Sequence, residues 1–120
     1  MLKKIPAYMV AALLLCSCGK QYKAEDTVKA FLDINLKSGN YDVSFTEIDS
    51  TKLISDSIVN VMRTIAAKNT AFKPNIKYGA EPPQASYIFT KASIIIGNDT
   101  MKHTFYLTPE LSNVVAFKNN

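Results

Sequence analysis

The spacing of apolar residues changes several times along the chain, and each spacing implies an element. Residues 5–15 (IPAYMVAALLL) are apolar and broken only by Pro6. That run is short of the roughly 20 apolar residues that a helix needs to cross a bilayer. Residues 19–25 (GKQYKAE) are polar and read as a tether, at most about 25 Å long when extended. Val28, Phe31, Leu32 and Leu36 then recur at helical spacing, which predicts a helix over residues 26–38, with Asp26 able to cap it and Gly39 to end it. Tyr41, Val43 and Phe45 alternate with polar residues, as in a short strand. Ile54, Ile58, Val61, Met62, Ile65 and Ala66 read as one apolar stripe. They predict a second helix over residues 50–68, capped by Asp49 or Ser50, with Lys52, Asp56, Asn60 and Arg63 facing away.

After Pro74 the period shortens. Residues 76–78 read as a short edge strand, and residues 85–96 (ASYIFTKASIII) are rich in β-branched and aromatic types. Gly97-Asn98-Asp99 is a turn signal, so residues 100–107 should return as a hairpin partner. Residues 114–118 close the meander. The expected fold is therefore α+β: two helices followed by a three- to four-stranded antiparallel meander, with the helices packed on one sheet face.

Composition narrows the class. The chain has 120 residues, 48% of them apolar, which suits one core and excludes wholesale disorder. The net charge is +4, yet Lys3 and Lys4 lie in the basic start before the apolar run; without them 12 basic residues face 10 acidic ones. The basic residues are scattered, with no cluster suited to a phosphate backbone, so nucleic acid is not an expected partner. The two cysteines are Cys16 and Cys18, which leaves no cysteine for a disulfide or a metal site in the rest of the chain.

The order basic start, apolar run, Leu15-Cys16-Ser17-Cys18-Gly19 resembles the signal and lipobox of bacterial lipoproteins. In that resemblance residues 1–17 are the signal peptide, Cys18 is the lipidated residue, 18–25 is the lipidated tether and 26–120 is the single α+β domain. It implies a diacylglyceryl thioether on Cys18, usually an acyl chain on its amine, and hence a membrane partner through Cys18. Gly19, rather than an aspartate, follows the cysteine and implies the outer membrane of the cell envelope, on its periplasmic or its surface face. The element order over residues 26–118, with the Ser38-Gly39-Asn40-Tyr41-Asp42 break after the first helix, is similar to small lipoproteins of the nuclear-transport-factor-2-like or cystatin-like class. That similarity implies a helix packed into a curved antiparallel sheet. Residues 114–118 lack the tryptophan often present in that class's last strand, and no Asp/His pair matches its enzymes residue by residue.

The residues offer little catalysis. The one histidine, His103, is in phase with Met101, Phe105 and Leu107 and reads as a half-buried strand position. No GxSxG, glycine-rich phosphate loop, cofactor motif or metal-ligand set occurs. The carboxylates fall mostly at caps, turns and exposed helix faces. Four of the six aspartates precede Ser or Thr and then Val, Thr, Ile or Met, a pattern that resembles the O-glycosylation sequon of some Gram-negative anaerobes. The resemblance implies glycans on Thr27, Ser50, Ser57 or Thr100; capping and turn chemistry is the competing account for all but Ser57. Tyr87, Phe89 and Phe105 would line an apolar pocket if the sheet were concave around the first helix. The resulting expectation is a non-enzymatic envelope lipoprotein that binds or scaffolds a protein partner. A small-ligand binder is the alternative, and an enzyme or enzyme inhibitor is the third reading.

Overall fold

A computed structural model describes the backbone of residues 4–120 and the side chains of residues 19–120; the side chains of the signal segment and of Cys18 lie outside the described residues. In chain order the elements are α1 (Lys4–Asn35), β1 (Asp42–Phe45), β2 (Asp49–Thr51), α2 (Asp56–Ala66), β3 (Tyr87–Ile96), β4 (Asp99–Leu107) and β5 (Val114–Asn119). The five strands form one antiparallel sheet in the order β1-β3-β4-β5, with β2 pairing farther along the same edge of β3. The class is α+β.

The β3–β4 hairpin forms where the turn signal stands. Ile96 pairs with Asp99 around Gly97 and Asn98, and Gly97 adopts the positive φ of 60° that a tight two-residue turn favours. Register counted back from this turn pairs Ala92 with His103, Thr90 with Phe105 and Phe89 with Tyr106. β5 adds outside β4, pairing Phe117 with Phe105 and Ala116 with Tyr106, with an irregularity near Leu107.

α1 buries Ala24, Val28, Phe31, Leu32 and Asn35, with Leu36 just beyond its end. Val28, Phe31, Leu32 and Leu36 are the four residues whose spacing predicts the helix. They pack on Ala92, Ile94, Phe105, Leu107 and Phe117, the strand positions of one parity. The helix stops at Asn35 rather than residue 38. The Asn35 amide donates to the Phe31 and Lys77 carbonyls (2.9 and 3.2 Å) and accepts from the Lys77 N–H (2.7 Å), so it clamps residue 77 like a strand partner. This clamp takes the place of the edge strand expected at residues 76–78.

Further expectations need correction. Residues 19–25 are not a free tether: they are helical, Ala24 is fully buried, and the Gln21 amide donates to the Thr46 carbonyl (3.0 Å) and accepts from the Ile48 N–H (2.8 Å). Gln21 thereby satisfies the backbone at the gap between β1 and β2. The second helix begins at Asp56, not residue 50, because Asp49, Ser50 and Thr51 pair with Phe89, Ile88 and Tyr87 instead. Its cap is Ser55, whose hydroxyl accepts from the Ile58 N–H at 3.2 Å. Its buried residues are Val59, Met62 and Ala66, while Ile58, Val61 and Ile65 face solvent. The helix is apolar on two adjacent stripes, and the sheet covers only one.

The helices are also divided between the faces. Val59 and Met62 pack with Tyr87, Phe89, Tyr106, Val115 and Ala116, the strand positions opposite to those under α1. Ala66, at the C-terminal end of α2, joins the α1 cluster together with Phe72. α2 therefore covers the second face beside the β5 edge, and the chain after it turns around that edge toward the first.

Candidate binding surfaces

The outer face of α2 carries three of the exposed large apolar residues among the described residues. Ile58, Val61 and Ile65 stand three and four residues apart, so they lie in one row, and they are 41%, 57% and 53% exposed. Leu53, just before the helix, is 84% exposed. Single exposed apolar residues are ordinary, whereas these three share one helix face. Ser57, Asn60 and Thr64 lie beside this row and are exposed and uncharged.

Arg63 holds α2 in place. Its Nε donates to the Val115 carbonyl (2.9 Å), Nη2 donates to the Ala80 carbonyl (2.8 Å), and Nη1 meets both oxygens of Glu81 (3.1 and 2.8 Å). The guanidinium also lies 4.3 Å from the centre of the Tyr78 ring. Burial pushes the Tyr78 hydroxyl up to about 12, with the Arg63 charge acting the other way. The expectation that Arg63 faces away is thus corrected: it fastens residues 78–81 and β5 to α2.

A half-open groove of about 330 Å³ runs beside α1, between Ala30, Phe31 and Ile34 on the helix and Tyr78, Gly79 and Asn113 opposite. Gly79 makes room for Asn113 there: a Cβ at that position would sit 2.2 Å from the Asn113 side-chain oxygen, so Asn113 would have to shift. The groove is at the small end of the range for ligand pockets and brings together no catalytic set.

His103 is 2% exposed, deeper than the half-buried position expected from its phase. Phe72, Phe105 and Phe117 meet its ring edge-on, with centroids 5.4 to 6.2 Å apart. Neither ring nitrogen has a hydrogen-bond partner of good geometry. Burial pushes its pKa below the ordinary histidine value, while the Lys118 backbone acts in the opposite direction. No carboxylate is paired with it, so the ring is a core aromatic rather than an oriented base.

The structure separates the residues expected to share a pocket. Tyr87 and Phe89 lie on the face covered by α2, whereas Phe105 lies under α1. Successive strand side chains alternate between faces, and Phe105 pairs with Thr90, so the three line no common cavity. The four sequon hydroxyls also differ. Ser50, Ser57 and Thr100 are exposed, but the Thr27 hydroxyl donates to the Leu111 carbonyl at 2.6 Å and is not free. Asp56-Ser57 falls in the first turn after the Ser55 cap, where a carboxylate suits the helix dipole. Capping chemistry therefore reaches the one position that it left unexplained in the sequence.

Among the described residues no helix is long and apolar enough to cross a membrane, and no group of three or more His, Cys, Asp and Glu is placed to hold a metal. The row on α2 and the Arg63 anchor were the features missed from the sequence; the signal was that α2 carries apolar residues on two stripes rather than one. No family model, no curated protein and no solved structure matches the chain.

Proposed function

We propose that the protein is a non-enzymatic envelope lipoprotein, anchored through Cys18, that docks a partner protein on the outer face of α2. The observation that carries the docking reading is the exposed row Ile58, Val61 and Ile65 on a helix whose other apolar stripe is already buried. Such a row suits a partner with an apolar groove that accepts one helix face. The anchor reading rests on the basic start, the apolar run and Leu15-Cys16-Ser17-Cys18-Gly19. Several acyl chains, at about 0.8 kcal/mol per buried methylene, hold far more firmly than one chain.

The test is a pull-down from detergent-solubilised envelopes of the native host, using wild type, Cys18→Ala and the double variant Val61→Asp/Ile65→Asp. The wild type should retain a stoichiometric partner, and the double variant should lose it at least about tenfold, the ratio expected for about 1.4 kcal/mol. Both substituted positions are exposed, so thermal unfolding should be unchanged within about 0.5 kcal/mol. Cys18→Ala should move to the soluble fraction. A partner held equally by the double variant would defeat the docking reading. Retention of lipid alone would shift attention to the groove beside α1 and a small ligand.

A further inference from the structure

Three features converge where the described side chains of α1 begin, at residues 19–27. Only Gly19 and Lys20 separate Cys18 from Gln21, whose amide is fixed to the backbone of Thr46 and Ile48. Ala24, one turn later, is fully buried, and the Thr27 hydroxyl is bonded to the Leu111 carbonyl. No stretch of free backbone therefore lies between the cysteine and the core. Tyr22, four residues after Cys18 in the same helix, is 72% exposed. Among the five described tyrosines it alone is exposed; Tyr41, Tyr78, Tyr87 and Tyr106 are buried or half-buried. Lys20 and Lys23 beside it are also exposed. Of the neighbouring carboxylates, Glu25 accepts from the Gln21 amide, and Glu110 accepts from the Ser112 hydroxyl at 3.1 Å.

We infer that α1 couples the lipid anchor rigidly to the domain and seats Tyr22 at the level of the lipid headgroups, so that the domain stands on the membrane in one orientation. This inference rests on the lipoprotein reading of Cys18. Given that reading, the occupant of the surface around Tyr22 is the membrane itself, because the acyl chains begin one helical turn away. Tyrosine suits that depth: its ring is apolar, its hydroxyl remains wet, and tyrosines are enriched at membrane interfaces. Lys20 and Lys23 supply cationic groups that anionic headgroups attract. A flexible tether would instead let the domain tumble, leaving Tyr22 mostly in water.

The chain contains no tryptophan, so Tyr22→Trp introduces a single fluorescent reporter. Ile34→Trp is the control, exposed on the same helix and about 18 Å farther along it at 1.5 Å per residue. Each variant is purified with its lipid, checked by intact mass, and reconstituted in phosphatidylethanolamine and phosphatidylglycerol vesicles brominated near the top of the acyl chain. The expected result is loss of most emission for Tyr22→Trp and little loss for Ile34→Trp. Equal quenching at the two positions, or none at position 22, in lipidated protein overturns the fixed orientation and leaves the anchor standing. Absence of lipid mass on Cys18 overturns the anchor and this inference together.

Discussion

His103 shows what a single polar residue does when it is folded into an aromatic cluster. Its two nitrogens are buried without partners, so only the neutral ring suits the site. The sign of the pH effect follows. The unfolded chain takes up the proton near pH 6.5, while the folded chain, with its pKa depressed, resists protonation. The unfolded state therefore binds more protons below pH 6.5, and stability should fall as pH drops from 6.5 toward the folded-state value. One proton limits the slope to about 1.4 kcal/mol per pH unit. Urea unfolding from pH 7.5 to 5 should show this loss, and His103→Phe should flatten it relative to wild type. Identical pH slopes for the two proteins would show that His103 is not the group responsible. Its strand placement is legible in the sequence from its phase with Phe105 and Leu107, but its depth is not. Phe72, which closes over it, belongs to the loop after α2 and is brought there by the chain turning round the β5 edge. The separation of the three pocket candidates is legible in the sequence, since counting back from Gly97-Asn98 pairs Phe105 with Thr90 and puts it opposite in parity to Phe89.

Elements were legible where local spacing carries the information. The first helix announces itself through Val28, Phe31, Leu32 and Leu36, and the hairpin through its turn. α2 was legible as a helix, but neither its start nor its buried face was. Asp49-Ser50 looks like a cap until β3 claims it as a strand, and that pairing partner lies far along the chain. The two apolar stripes of α2 are alike in composition, so only the position of the sheet chooses between them. The observed boundary makes a sharp prediction. Ser55→Ala removes the hydroxyl that accepts from Ile58 N–H and should cost about 1 kcal/mol in urea unfolding. Ser50→Ala, exposed in β2, should stay within about 0.5 kcal/mol of wild type. The reverse order would return the helix start to residue 50.

At the scale of the whole molecule, one sheet carries a core on each face, and the two meet around the β5 edge. Ala66 and Phe72 carry the apolar packing across, and Arg63 carries the polar contact, reaching from α2 to Val115 and the residue 78–81 segment. Its contacts are unequal. Glu81 is 75% exposed on its side chain, so its ion pair is screened and contributes about 0 to 1 kcal/mol. The Val115 and Ala80 carbonyls lie at part-buried contacts, and leaving such acceptors unpaired costs about 1 to 3 kcal/mol. A lysine has no planar fork with which to reach both carbonyls and Tyr78 at once. Arg63→Lys should therefore lower stability by about 1 to 3 kcal/mol, whereas Glu81→Gln should cost less than about 1 kcal/mol, both read from urea midpoints at constant slope. Because Arg63 bridges both cores, Arg63→Lys should also raise amide exchange at Gly79 and around Val115 before it does so in the β3–β4 hairpin. If Glu81→Gln proved as costly as Arg63→Lys, the exposed ion pair, and not the backbone contacts, would be what joins the two faces.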